Sequence, residues 1–283
     1  MSNRSRQLKA FFAAAMLAAA LAVTPRAEAA PFDHAPIDAI LKEYVSAGRV
    51  DYQRLQQNRT ALDQYVASLA DVKPSDYESW DEPNKIAFWL NAYNAITMKI
   101  ILDHYPIKRS GSLLARAFPA NSIRQIPGQW DKIQHTVMDK PMVLNDIEHG
   151  TLRKLFKEPR VHMALVCAAR GCPPLRSEAY EGSRLSDQLD DQARTYLANQ
   201  EAGLRIDREE KAVALSSIFS WFGEDFLKAY GDPKELKGLG GKKGAVLAFV
   251  TRYLPPDDQA LLRSGDVKIK FLDYDWTLND KGL

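Results

Sequence analysis

The sequence predicts an α+β fold: a single, mostly helical domain with a small, mainly antiparallel sheet. Segments with helical hydrophobic periodicity outnumber segments that alternate like strands, and the two kinds follow one another in an irregular order. That order argues against a doubly wound parallel sheet. No clear linker divides residues 30–283, so we expect one domain.

Three stretches in the first half have the spacing of helices. Residues 35–47 and 55–69 place apolar side chains on one face, which predicts amphipathic helices. Residues 84–104 are apolar nearly all the way round, and such a helix is buried. Pro106 ends this helix, and residues 107–130 are expected to be irregular.

The second half mixes both kinds of element. Residues 134–144 alternate as in a hairpin, and a helix capped by Asn145 or Asp146 follows. Residues 161–168 are apolar almost throughout and predict a short strand. The remaining predictions are helices over 185–199, 218–230 and 245–253, a hairpin over 203–216 and a strand over 267–272.

The first 29 residues have the pattern of a secretory signal peptide. Basic residues precede an apolar run from Phe11 to Val23, and Ala27-Glu-Ala29 forms a small-x-small cleavage site. The protein is therefore expected to be exported to a periplasm or secreted. The apolar run is shorter than the roughly 20 residues of a membrane span, so no stable membrane insertion is expected after cleavage.

Removal of that peptide changes the charge balance. Of the 38 basic and 36 acidic residues in the sequence, four and one respectively lie in residues 1–29, which leaves a net charge of −1. A nearly neutral protein offers no electrostatic reason to bind nucleic acid.

Both cysteines, Cys167 and Cys172, lie in one short stretch that follows His162. An even number of cysteines in an exported protein favours a disulfide, because the compartment is oxidising. Gly171 would allow the chain to turn back between them. A disulfide staple is one of three interpretations of this stretch.

A thiol nucleophile is the second interpretation, and it needs a nearby base and a group that orients the base. His162 and Cys167 lie five residues apart on the predicted strand and would face opposite sides. Cys172 is less constrained because it lies in the following loop. His149 is then the better-placed base, with Glu148 to orient it.

A zinc site is the third interpretation. The two imidazoles, the two thiols and the carboxylate of Glu148 are groups that zinc accepts as ligands, but their spacing matches no standard zinc pattern. We therefore assign no metal ligand and no cofactor from the sequence.

Several polar residues stand out elsewhere. Asn91 and Asn94 lie three apart, on one face of the predicted buried helix. They either hydrogen-bond loop backbone or line a polar cleft that binds substrate. Asp275 and Asn279 follow the last predicted strand. Asp275 could pair with Arg153, Arg170 or a histidine, or it could serve only to tie down the C-terminal segment.

Five ordered stretches carry a resemblance. They are Phe88-Trp-Leu-Asn-Ala-Tyr-Asn-Ala95, Leu144-Asn-Asp-Ile-Glu-His-Gly150 with Arg153, Arg160-Val-His162 with Cys167 and Cys172-Pro173, Ser216-x-Ile-Phe-x-Trp-Phe222, and Tyr274-Asp-Trp-x-Leu-Asn279. Together they resemble the DUF547 family, whose name marks an unknown function, so the resemblance implies no reaction. It implies a grouping of the polar members of these motifs in one pocket.

The leading functional hypothesis is a thiol-dependent hydrolase or acyltransferase that acts on an unknown small molecule or peptide. The alternative is a non-enzymatic module that binds a ligand or partner and is stapled by a Cys167–Cys172 disulfide, and the third hypothesis is a zinc-binding protein. The catalytic candidates are Cys172, Cys167, His149, His162 and Glu148. The substrate-binding candidates are Asn91, Asn94, Arg153, Asp275 and Asn279.

Overall fold

Helices account for about half of the chain in the computed structural model, which describes residues 29–233 and 239–282. The predicted signal peptide falls outside the described residues, except for Ala29. The α-helices are α1 (Ala35–Tyr44), α2 (Tyr52–Gln57), α3 (Thr60–Ser68), α4 (Pro74–Ser79), α5 (Glu82–Asp103), α6 (Arg153–Leu155), α7 (Leu185–Leu197), α8 (Ser217–Trp221), α9 (Gly223–Tyr230), α10 (Gly241–Thr251) and α11 (Pro256–Arg263). Short 3-10 helices cover Leu69–Asp71, Leu114–Ala117, Ile123–Gln125, Pro159–Met163 and Gly182–Arg184, and a π-helix covers Asp146–Leu152.

The strands are short and form three separate sheets. They are β1 (Val45–Ser46), β2 (Arg49–Val50), β3 (His135–Val137), β4 (Lys140–Met142), β5 (Leu204–Asp207), β6 (Ala212–Leu215) and β7 (Lys268–Phe271). β1–β2 and β3–β4 are antiparallel hairpins, and β5–β6–β7 is a three-stranded sheet in which β7 runs parallel to β6. The predicted α+β class is confirmed, with three small sheets in place of one.

The core consists of two apolar clusters that share α7. The first surrounds α5, which is buried on almost every side because its apolar residues encircle it. Asp81 caps this helix by accepting a hydrogen bond from the Asn84 N–H at 2.8 Å. The second cluster lies between α9, α10 and β6. Since α7 contributes side chains to both clusters, the described residues form one domain.

The predicted strand over residues 161–168 is wrong. Pro159–Met163 is a 3-10 helix, and an irregular segment follows it. Pro159 starts the helix, and the Glu158 carboxylate accepts a hydrogen bond from the Arg160 N–H at 3.0 Å. The apolar run does report burial, but burial alone does not select a strand. The expectation that His162 and Cys167 face opposite sides of a strand therefore has no basis.

Several predicted helix boundaries also differ. The single helix expected over 55–69 is α2 and α3, and the one expected over 218–230 is α8 and α9. Sequence analysis missed α4 and α11, each of which has a proline in its first turn. Proline ends one helix but is also favourable at the start of the next.

Residues 274–280 position one wall of the site. The Gly171 N–H donates to the Asp275 carbonyl and the Arg170 N–H donates to the Thr277 carbonyl, both at 2.8 Å. These bonds hold the loop that carries the cysteines against a segment about 100 residues further along the chain. No helix in the described part of the chain is long and apolar enough to cross a membrane.

Candidate functional site

A cavity of about 670 Å³ opens between the loop of the cysteines, the π-helix and residues 274–276. All five catalytic candidates line it, although they come from separate parts of the sequence: Glu148, His149, His162, Cys167 and Cys172. The structure thus brings together the thiol, imidazole and carboxylate groups that the sequence analysis singled out.

The π-helix presents Glu148 and His149, adjacent in sequence, to the same cavity. π-helical turns are rare and occur often at functional sites. The buried Glu148 carboxylate accepts a hydrogen bond from the Tyr93 hydroxyl at 3.1 Å. Burial, together with the negative charge of Glu148, raises the pKa of Tyr93 well above its ordinary value, so the phenol keeps its proton.

His149 is oriented by Arg153 rather than by its neighbour. Its Nδ1 lies 2.9 Å from Arg153 Nη1 and 3.8 Å from Glu148 Oε1. A guanidinium can only donate, so Nδ1 accepts and the neutral ring carries its proton on Nε2. The side chain of His149 is 44% exposed, which makes it the most accessible of the candidate bases.

His162 is held by a partly buried carboxylate that the sequence patterns did not indicate. Asp225, in the first turn of α9, lies 2.9 Å from His162 Nε2 and 2.5 Å from Arg153 Nε. Burial opposes ionisation of Asp225, but the hydrogen bonds from His162 and Arg153 outweigh it and lower the pKa of this carboxyl. The His162 ring also stacks on Phe222, with centroids 4.1 Å apart. Both contacts fix the imidazole.

Cys167 and Cys172 form a disulfide, and their Cα atoms are 6.3 Å apart. Cys172 Sγ lies 3.0 Å from the backbone nitrogen of Cys167 and 3.0 Å from the hydroxyl oxygen of Tyr274. The same hydroxyl oxygen lies 3.2 Å from Cys167 Sγ. Ala168 adopts a left-handed conformation with φ of +56°, which is unusual for a residue other than glycine. Such strain persists where the surroundings impose it, and it is common at functional sites.

Residues 77–197 match the family model described as "Protein of unknown function, DUF547". This match confirms the resemblance over that range. We call these residues the DUF547 region. No curated protein and no solved structure matches the chain.

The DUF547 region supplies only part of the cavity. It contains α5, the π-helix and both cysteines, whereas the lining residues Phe222 and Tyr274 lie beyond it, as does Asp225, which holds His162. Asp225 had a weak signal in the sequence, since it follows the aromatic motif that ends at Phe222. The contact of Tyr274 with both sulfurs had none, because it joins residues more than 100 positions apart.

Asn91 and Asn94 of the DUF547 region bind backbone and do not line the cavity. The Asn91 amide exchanges two hydrogen bonds with the backbone of Tyr180, at 2.8 and 2.9 Å. The Asn94 amide donates to the Ala164 carbonyl and accepts from the Val166 N–H, both at 3.0 Å. They fasten two irregular segments to α5.

The other three substrate-binding candidates also have structural partners and do not line the cavity. Arg153 supports His149 and Asp225, as described above. Asp275 accepts a hydrogen bond from the Thr277 N–H at 2.8 Å, and Asn279 accepts one from the Tyr52 hydroxyl at 3.0 Å. These contacts order the wall formed by residues 274–280.

An aromatic group with one guanidinium also lines the cavity. The Arg124 guanidinium carbon lies 4.3 Å from the Phe118 ring centroid, 5.4 Å from that of Trp130 and 5.2 Å from that of Trp276. Among the described residues, no carboxylate forms an ion pair with Arg124, whereas Arg153 and Arg160 each have such a partner. A positive charge held between aromatic faces therefore borders the cavity.

The structure gives no geometric support to a zinc site. Within residues 29–233 and 239–282, no three His, Cys, Asp or Glu side chains are arranged to hold a metal ion. The ligand types are present in the cavity, but two of them, Cys167 and Cys172, are joined to each other.

Proposed function

We propose that the cavity binds a small organic molecule or a peptide that combines an apolar or aromatic part with an anionic group. The carrying observation is the aromatic wall around Arg124, which has no carboxylate partner of its own among the described residues. The disulfide favours binding over thiol catalysis, because a sulfur in a disulfide is not a nucleophile.

Arg124 gives this ligand its charge. Partial burial lowers the pKa of the guanidinium, but arginine stays protonated in proteins. Its planar donors suit a carboxylate or phosphate, which they bind through paired hydrogen bonds. Stacking against three rings restricts the side chain, so little of its conformational freedom is left to lose when a ligand binds.

Exposed apolar side chains at the cavity edge give the ligand its apolar part. Leu114 is 83% exposed and Trp221 is 49% exposed, and both line the cavity. Large apolar side chains exposed around a concave site are typical of ligand or partner binding.

Binding of the aromatic anion 8-anilinonaphthalene-1-sulfonate tests this function. Probe fluorescence is titrated against the wild type, Arg124→Ala and Leu114→Ala. Loss of a charge-assisted hydrogen bond should weaken binding by about tenfold in Arg124→Ala. Arg116→Ala and Leu113→Ala are matched controls, because these neighbours do not line the cavity. Equal effects in control and cavity variants would contradict the proposal.

A thiol-dependent hydrolase or acyltransferase is the second candidate. What favours it is that both sulfurs, both imidazoles and the Glu148 carboxylate line one cavity. In this mechanism, Cys167 or Cys172 attacks an acyl group after reduction of the disulfide, and His149 or His162 transfers the proton.

Hydrolysis of p-nitrophenyl acetate distinguishes the candidates. If the protein is such an enzyme, its reduced form should release many equivalents of p-nitrophenol per protein molecule. No release is expected from three controls: the oxidised protein, the double variant Cys167→Ser with Cys172→Ser, and the iodoacetamide-treated protein. Release of no more than one equivalent by the reduced wild type would leave binding as the function.

Export is proposed from the pattern of residues 1–29. The Trp80 indole donates a hydrogen bond to the Ala30 carbonyl at 3.0 Å, so the residue that would follow the cleavage site is held against the folded domain. Mass spectrometry of the protein from the producing cells should find an N-terminus at Ala30 and place the protein outside the cytoplasm. An intact Met1 would contradict export by cleavage.

A further inference from the structure

The structure assigns a reaction to the disulfide of the cavity: we propose that Cys167 is the sulfur attacked by an incoming thiol and that Cys172 is the leaving group. The substrate class is a small thiol or a cysteine-containing peptide. This inference rests on the proposed function only in that the thiol reaches the sulfurs through the ligand cavity.

The two cysteines differ in how accessible they are to an incoming thiol. Both residues line the cavity, but Cys172 is only 5% exposed, whereas Cys167 is partly exposed. Attack on a disulfide requires the thiolate to approach one sulfur, so the rate depends on which sulfur can be reached. Cys167 is the more exposed of the two residues, so we infer that it is the one attacked.

Hydrogen bonding also distinguishes the two sulfurs, and it too favours Cys172 as the leaving group. Cys172 Sγ lies 3.0 Å from two donors, the backbone N–H of Cys167 and the hydroxyl of Tyr274. A sulfur that leaves as a thiolate is stabilised by such donors, and a better-stabilised leaving group departs faster.

Tyr274 is suited to remain a donor throughout. Neither sulfur of a disulfide carries a proton, so the hydroxyl must donate to it. Burial raises the pKa of the Tyr274 phenol well above its ordinary value, which keeps that proton in place. The single proton is directed to Cys172, whose sulfur is the nearer at 3.0 Å against 3.2 Å for Cys167.

The steps balance as follows. A thiolate attacks Cys167 Sγ and forms a mixed disulfide, the bond between the cysteines breaks, and its electron pair leaves on Cys172 Sγ. A second thiolate then attacks the outer sulfur of the adduct, releases the oxidised substrate disulfide and leaves Cys167 as a thiolate. One protein disulfide is reduced and two substrate thiols are oxidised.

The test mixes the oxidised, full-length protein with N-acetylcysteine, quenches with acid at early times and locates the adduct by peptide mass spectrometry. We expect about tenfold more adduct on Cys167 than on Cys172. An adduct mainly on Cys172, or no adduct at all, would overturn the assignment. This measurement needs no variant, so it does not depend on a mutant's folding.

Tyr274→Phe provides the second arm. Loss of the hydroxyl should slow adduct formation by about tenfold, while Tyr253→Phe, which removes a phenol hydroxyl that donates to Asp190 instead, should not change the rate. An unchanged rate in a folded Tyr274→Phe protein would overturn the role of Cys172 as the stabilised leaving group.

Probe binding separates this inference from the proposed function. Exchange at Cys167 in a protein that does not bind 8-anilinonaphthalene-1-sulfonate would refute the ligand proposal alone. Tight probe binding without exchange would refute the thiol reaction alone.

Discussion

Two pairs of polar residues, all of them candidates from the sequence, are used in opposite ways by the fold. The amide groups of Asn91 and Asn94 form hydrogen bonds with backbone groups that have no secondary-structure partner. His149 and His162 line the cavity and are held by side chains, Arg153 and Asp225 respectively.

The difference shows what decides the role of a polar residue in an apolar setting. An irregular segment packed against a buried helix has backbone groups without secondary-structure partners, and they must be satisfied. Asparagine carries both a donor and an acceptor and meets that need. A histidine held through one ring nitrogen has a second nitrogen left, and this is the arrangement of a reactive group.

The largest effect is expected for Asn94→Ala. The change leaves the buried Ala164 carbonyl and Val166 N–H without partners, and should lower the free energy of unfolding by about 3 kcal/mol. Urea unfolding followed by circular dichroism measures it. Asn145→Ala is the control, because Asn145 lines the cavity and its side chain makes no capping hydrogen bond. Similar losses in both variants would remove the distinction between fastening and lining residues.

A smaller loss, about 2 kcal/mol at pH 7, is expected for Asp225→Asn, because a partly buried carboxylate loses its ion pair with Arg153 and its hydrogen bond with His162 is weakened. Asp258→Asn is the matched control. Its side chain is as buried as that of Asp225, but its partner Arg208 is well exposed, so the loss should stay below about 1 kcal/mol.

The pH dependence sharpens this second prediction. The folded-state pKa of Asp225 is lowered, so its contribution to stability is present above the unfolded-state pKa of about 3.9 and disappears as the pH falls toward the folded-state value. The difference in unfolding free energy between the wild type and Asp225→Asn should therefore shrink below pH 4. A difference that stays constant from pH 7 to pH 3 would show that the lowered pKa does not contribute.

The smallest effect is expected for His149→Ala. This side chain is 44% exposed and makes one hydrogen bond, with Arg153, so the unfolding free energy should change by no more than about 0.5 kcal/mol. His162→Ala, compared in the same urea titrations, should cost more because it removes a buried ring stacked on Phe222. If His149→Ala is as destabilised as His162→Ala, both histidines contribute to stability, and the prediction for His149 is wrong.

The fold class and the five catalytic candidates could be predicted from the sequence, but the five substrate-binding candidates do not line the cavity and the pairings were not found. The apolar residues around α5 correctly predicted that this helix is buried. The motifs included all five catalytic candidates that line the cavity. The segment after Pro159 was misassigned because an apolar run records burial and not backbone conformation.

The pairings could not be found from the sequence because they are long-range. Asp225 is 63 residues from His162, and Tyr274 is more than 100 residues from either cysteine. No local periodicity records such contacts. The π-helix over Asp146–Leu152 was likewise missed, because the sequence pattern does not distinguish it from an α-helix.

Backbone hydrogen bonds join the cysteine loop to residues 274–280, so the folded domain extends well beyond the DUF547 region, residues 77–197. A fragment that ends at residue 197 would keep every residue of the DUF547 region and lose the carbonyls that receive the Arg170 and Gly171 N–H groups. During synthesis on the ribosome, the cysteines emerge long before Tyr274, and their loop acquires its final wall only when the last strand has been added. Domain boundaries for expression of this protein should therefore extend through residue 280, well past the end of the detectable relationship.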